Sequence, residues 1–79
     1  MLVYGIMMNK EEYERFLLLP ISDYQSLFKN KIEHFPYKNN YFVGFILNKM
    51  FINPQIEFHY LSCFTNKFLS KSCVMHDLK

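Results

Sequence analysis

Residues Leu2 to Met8 form an unbroken apolar run that stops at Asn9 and gives way at once to Lys10-Glu11-Glu12. A run this short, carrying Val, Ile and Tyr with no polar residue at alternate positions, reads as a central strand covered on both faces. Asn9 supplies an N-cap. Glu12, three residues on, supplies the acceptor of a capping box, and Glu11, Glu12 and Glu14 place negative charge where the helix dipole favours it. The chain therefore opens as a strand followed directly by a helix over Lys10 to Leu19. Its inward stripe is Tyr13, Phe16 and Leu17, and Pro20 ends it.

Ser22 and Gln25 repeat the capping signal. The spacing of Tyr24, Leu27, Phe28, Lys31, Ile32 and Phe35 predicts a second helix from Asp23 to about His34, stopped by Pro36. Residues 36 to 40, Pro-Tyr-Lys-Asn-Asn, have turn composition, with the Asn pair suited to left-handed backbone. Tyr41 to Leu47 is aromatic and β-branched and predicts a strand, returned by Asn48-Lys49 into a short strand Met50 to Ile52. Ile56 to Phe64 reads as a further strand, with Ile56, Phe58, Tyr60 and Phe64 on one face and Glu57, His59, Leu61 and Cys63 on the other. Thr65 to Lys67 turns the chain, and Phe68 to Leu78 is expected as a last strand with residues 76–79 fraying. The order is β-α-α-β-β-β(β). It implies one α+β domain over residues 1–79: two layers, an antiparallel sheet with two helices on one face.

Size limits what such a domain can hide. A chain of 79 residues buries only about 60% of the surface its unfolded form exposes. With 51% hydrophobic and 19% aromatic residues, some rings must stay near the surface. Part of that richness has a genomic origin. Phe, Tyr, Met, Ile, Asn and Lys supply 41 residues, whereas Gly, Ala, Arg and Pro supply 6. The first set is written mainly with A and T codons, which points to an AT-rich genome such as that of many low-GC bacteria, their phages and some large viruses.

Formal net charge is +2, too small for a strongly basic nucleic-acid binder. It divides unevenly, at −2 over residues 1–25 and +4 over residues 26–79, giving a mildly acidic and a mildly basic side. No apolar stretch approaches the ~18–20 residues of a membrane-spanning helix, and the first run lacks the basic flank of a signal peptide. The expectation is a cytoplasmic protein with Cys63 and Cys73 as free thiols.

Four residues carry the strongest chemical pattern: His59-x3-Cys63-x9-Cys73-x2-His76. Zinc prefers such ligands in close pairs. On a strand, however, His59 and Cys63 stand about 13 Å apart at ~3.3 Å per residue, too far to share an ion. The pair serves zinc only if that segment is helical or sharply bent, so the expectation is buried thiols, partly exposed imidazoles and no metal or other cofactor. No strained nucleophile turn, oxyanion hole or Gly-rich phosphate loop accompanies these residues, which argues against an enzyme.

Rings interleaved with lysines could stack bases and track phosphates: Tyr37, Lys38, Tyr41, Phe45, Lys49, Phe51, Phe58, Tyr60, Lys67 and Lys71. The lysines are scattered singly, Arg15 is the only Arg, and the ring-and-glycine pattern of an RNA-recognition strand is absent. Single-stranded nucleic-acid binding and a small zinc-binding domain are therefore secondary readings. Protein recognition uses the surplus rings better, since Tyr and Phe rimmed by polar groups are typical interface anchors, and Met7, Met8 and Met50 would let a patch adapt. The expected anchors are Tyr37, Tyr41, Phe51, Tyr60 and Phe68, beside turns or on an uncovered face. They would meet a host or self-encoded protein, or close a homodimer. A short, motif-free, non-catalytic chain from an AT-rich genome has the profile of a phage or mobile-element accessory protein. Such a protein inhibits a host protein, including components of antiviral defence, by covering its surface.

Overall fold

The computed structural model describes residues 1–47 and 54–79. Along the chain it has strand β1 (Leu2–Met8), helices α1 (Lys10–Leu17) and α2 (Ile21–Gln25), strands β2 (Glu33–Tyr37) and β3 (Asn40–Ile46), helix α3 (Pro54–Leu69) and strand β4 (Val74–Asp77). The described strands form one antiparallel sheet of order β2-β3-β1-β4. The apolar run Leu2–Met8 thus lies inside the sheet, as its lack of polar alternation requires. The α+β class and the leading order β-α-α-β-β agree with the sequence.

The capping box forms as expected. Asn9 Oδ1 accepts from the Glu12 N–H at 2.9 Å, and Glu12 Oε1 accepts from the Asn9 N–H at 3.0 Å. The helix ends at Leu17, two residues early, because the Leu18 N–H already turns to the carbonyls of Arg15 and Phe16.

Register sets two faces. Tyr4, Ile6, Met8, Val43 and Phe45 point toward the helices and pack with Phe16, Phe28, Ile32, Leu61 and Cys73. On the opposite face Val3, Phe42 and Leu78 form a smaller cluster with Met7, Phe35, Tyr37 and Ile46, to which no described helix contributes. Gly5 pairs with Gly44 across β1 and β3, and a Cβ on either would come within 2.8 Å of the Phe42 ring. The two hydrogens let that ring lie flat across the strands, fully buried.

Three segments depart from the sequence reading. The expected helix from Asp23 to His34 is reduced to Ile21–Gln25, capped from Pro20 without a side-chain bond rather than from Ser22. Side chains elsewhere satisfy the backbone that would have continued it: Gln25 accepts from the Ile32 N–H and donates to Asn30 O, while Glu57 accepts from the N–H and Nδ2 of Asn30. Freed from the helix, Glu33–Tyr37 joins the sheet as an edge strand, where Pro36 is tolerated because an edge has a row of backbone groups without ladder partners. The turn contracts to Lys38-Asn39, and Lys38 rather than an Asn adopts positive φ, at 53°.

Ile56 to Phe64 is not a strand but the body of helix α3, which joins α1 on the covered face, while α2 meets α3 through Tyr24 and Phe64. Pro54 occupies the first helical position, where its missing N–H costs nothing. Ser70, at φ 55°, ends the helix in left-handed conformation, its N–H bonded to Asn66 O at 2.9 Å. The final strand shortens to Val74–Asp77. Its end is not frayed, since Leu78 is buried and its N–H donates to Met1 O at 2.8 Å. The expected turn Asn48-Lys49 and strand Met50 to Ile52 lie outside the described residues.

Candidate protein-binding groove

Helix α3 divides its side chains by period. Glu57, Leu61 and Thr65 face inward and are buried. Tyr60, Phe64 and Phe68 follow at i, i+4 and i+8 along the flank next to α2. There the Tyr24 ring meets Phe64 at 4.3 Å and Phe68 at 5.9 Å, both edge to face. These three rings form a ridge between two hollows. One, about 310 Å³, is lined by Tyr24, Leu27, Phe28, Tyr60 and Phe64. The other, about 200 Å³, is lined by Arg15, Phe16, Leu19, Phe68 and Leu69.

The larger hollow exists because α2 is so short. Beyond Gln25 the chain is held by the Gln25 and Glu57 bonds to Asn30 and Ile32 rather than by helix packing. Phe28 turns in to the core, edge-on to Phe45 at 5.7 Å, while Leu27 stands out at 65% exposure. With Tyr60 at 53%, the groove has two upright apolar walls and an aromatic floor. Such a shape accepts an apolar side chain from outside.

The five expected anchors are distributed unevenly. Tyr60 and Phe68 share this flank of α3. Tyr41 does not stand free: its ring stacks on Tyr13 of α1 at 4.1 Å and 4°. Tyr37 lies on the helix-free face, its hydroxyl 3.3 Å from the Lys79 N–H that donates to it. Phe51 lies outside the described residues. Of the residues that complete the groove, Tyr24, Leu27 and Phe28 carry helical spacing in the sequence and so read as core, whereas Phe64 reads as part of one face of a strand. The early end of α2 leaves Leu27 exposed beside the hollow while Phe28 stays in the core.

The nucleic-acid surface does not assemble among the described residues. Phe45 is buried, Phe58 stacks on Tyr4 at 4.2 Å, and Lys71 is bound to Glu12 at 2.7 Å. The four metal-ligand candidates also separate. Helical geometry brings His59 Nε2 to 3.6 Å from Cys63 Sγ, but Cys73 is buried in the helix-side core and His76 points to the other face, level with Val3. Burial pushes the Cys73 thiol above its ordinary value, against the opposing bonds from Thr65 and Ser62. The Lys71 ammonium, then the Asn9 N–H, hold the Glu12 carboxyl below its ordinary range.

Among the described residues no helix is long and apolar enough to cross a membrane. No family model, curated protein or solved structure matches the chain.

Proposed function

We propose that this chain is a non-catalytic protein-binding module whose groove between α2 and α3 receives apolar side chains of another protein. The observation that carries this reading is the open hollow walled by Leu27 and Tyr60 over Tyr24, Phe28 and Phe64. Burying an exposed Leu or aromatic side chain yields about 1.5–3 kcal/mol, so two such walls supply hot-spot energy without any chemistry. The AT-rich composition supports the narrower form: a cytoplasmic accessory protein of a phage or mobile element that inhibits a host protein by surface occlusion, with antiviral-defence proteins among its targets.

Affinity capture from low-GC bacterial lysates, with wild-type chain and Leu27→Asp/Tyr60→Ser as parallel baits, tests it. Both positions are exposed, so the variant should fold. A host protein held by the wild type and lost by the variant is the expected result. Equal retention by both baits, recovery of nucleic acid alone, or no protein from several hosts would sink the reading.

A further inference from the structure

The outer face of α3 carries chemistry that the groove does not use. His59 Nε2 and Cys63 Sγ stand one helical turn apart at 3.6 Å, and both residues are exposed. Zinc binds thiolate sulfur at about 2.3 Å and imidazole nitrogen at about 2.0–2.1 Å. Two such atoms subtending a tetrahedral angle lie about 3.6 Å apart. The pair therefore already has the bite of two zinc ligands, on a rigid helix and open to solvent.

One chain supplies only half a site. A structural zinc shell takes four protein ligands, and among the described residues no group of three or more His, Cys, Asp or Glu could hold a metal. What surrounds the pair says where the other half comes from. Ile56, His59, Tyr60 and Cys63 fall at i, i+3, i+4 and i+7, a single stripe of the helix. Ile56 and Tyr60 are 55% and 53% exposed. A helix presenting two ligands beside two bare apolar side chains suits a second copy of itself, because a two-fold axis through the metal doubles the ligand count and pairs the apolar flanks.

We propose that zinc joins two copies of this chain, each giving His59 Nε2 and Cys63 Sγ to one Cys2His2 shell, with Ile56 and Tyr60 closing around it. Each Cys63 releases its thiol proton to solvent on binding, the imidazoles bind neutral, and the two thiolates balance the charge of Zn²⁺ with no redox step. Tyr60 also walls the groove, so the linked pair covers one side of it. The metal site nevertheless stands whatever the groove binds.

Sedimentation of the metal-free full chain under a phosphine reductant, with and without zinc, tests the proposal. A reductant is needed because a Cys63 disulfide between copies would imitate the dimer. The expected result is conversion from monomer to dimer, saturating at one zinc per two chains and reversed by chelator. Cobalt in place of zinc should give thiolate charge-transfer and tetrahedral d–d absorption. Cys63→Ser and His59→Gln, both at exposed positions, should keep the wild-type circular dichroism and lose the metal-dependent dimer. The proposal is overturned by an unchanged mass with zinc in excess, by one zinc held per monomer, or by a zinc-dependent dimer that survives in either folded variant.

Discussion

Lys71 Nζ lies 2.7 Å from Glu12 Oε1, so the carboxylate that closes the capping box of α1 also ties down the segment between α3 and β4. One side chain serves a local purpose legible in the sequence and a long-range one that is not. Glu12 is almost fully buried, whereas Lys71 remains nearly half exposed, which leaves the pair partly screened.

Because Glu12 titrates below its ordinary 4.5 in the folded chain, the unfolded chain binds more protons as pH falls through that range. The carboxylate's contribution is present above pH ~4.5 and fades as pH drops through the lowered folded value. Lys71→Met should lower stability by about 1 kcal/mol at pH 7. Glu12→Gln should flatten the acid limb of a stability-against-pH curve measured by urea unfolding. Parallel curves for wild type and Glu12→Gln would contradict this.

Glu57 is buried at the start of α3 and accepts both from the Asn30 backbone at 3.2 Å and from its amide at 2.8 Å. Glu57→Ala strands both donors, at a cost of about 2–3 kcal/mol. Gln55→Ala, exposed one residue into the same turn, should stay within about 0.5 kcal/mol of wild type. Urea midpoints distinguish them, and equal midpoints would mean that the loop is held in some other way.

A Cβ at Gly5 would meet Val43 O at 2.2 Å and Phe42 Cε2 at 2.8 Å. The carbonyl belongs to the neighbouring strand and cannot yield as a side-chain tip would. Gly5→Ala should therefore cost about 3 kcal/mol, the upper end of overpacking penalties. Thermal unfolding with a shift of only a degree or two would show that the sheet opens more readily than its register implies.

The two thiols should react at very different rates. Cys63 is exposed, whereas Cys73 is buried, bonded to Thr65 Oγ1 at 3.4 Å and kept protonated by its surroundings. Native protein treated with a thiol reagent at pH 8 should take up one label quickly, on Cys63, and the second only after denaturant is added. Rapid uptake of both labels without denaturant would place Cys73 outside the core.

The misread segments share a cause. Ile56, Phe58 and Tyr60 alternate as a strand would, and the inward face of α3 includes the polar Glu57 and Thr65, so neither period stands out. Pro54 with Glu57 in the first turn was the available sign of a helix start. Conversely, the apolar residues at 24, 27, 28 and 32 fit a helix, yet Phe28 and Ile32 reach the core from a loop. Of the expected anchors, Tyr60 and Phe68 lie together on one flank of α3, a placement the helix and not the strand reading produces. The ring that stacks on Tyr41, Tyr13, comes from an element 28 residues earlier, which no local pattern announces.

What this sequence determines alone is local: an apolar strand too uniform to face water, a capping box three residues wide, and a chain with more large rings than its size can enclose. Each follows from period, short-range hydrogen bonding or surface-to-volume scaling, and none needs a distant partner. Tertiary structure decided the rest. Gln25 and, from α3, Glu57 satisfy the backbone of Asn30 and Ile32, and those bonds end α2, free β2 for the sheet edge and open the groove, while Lys71 ties the cap of α1 to the segment before β4. The His59–Cys63 pair is likewise a product of α3 being a helix, for the same two residues on a strand would have stood apart.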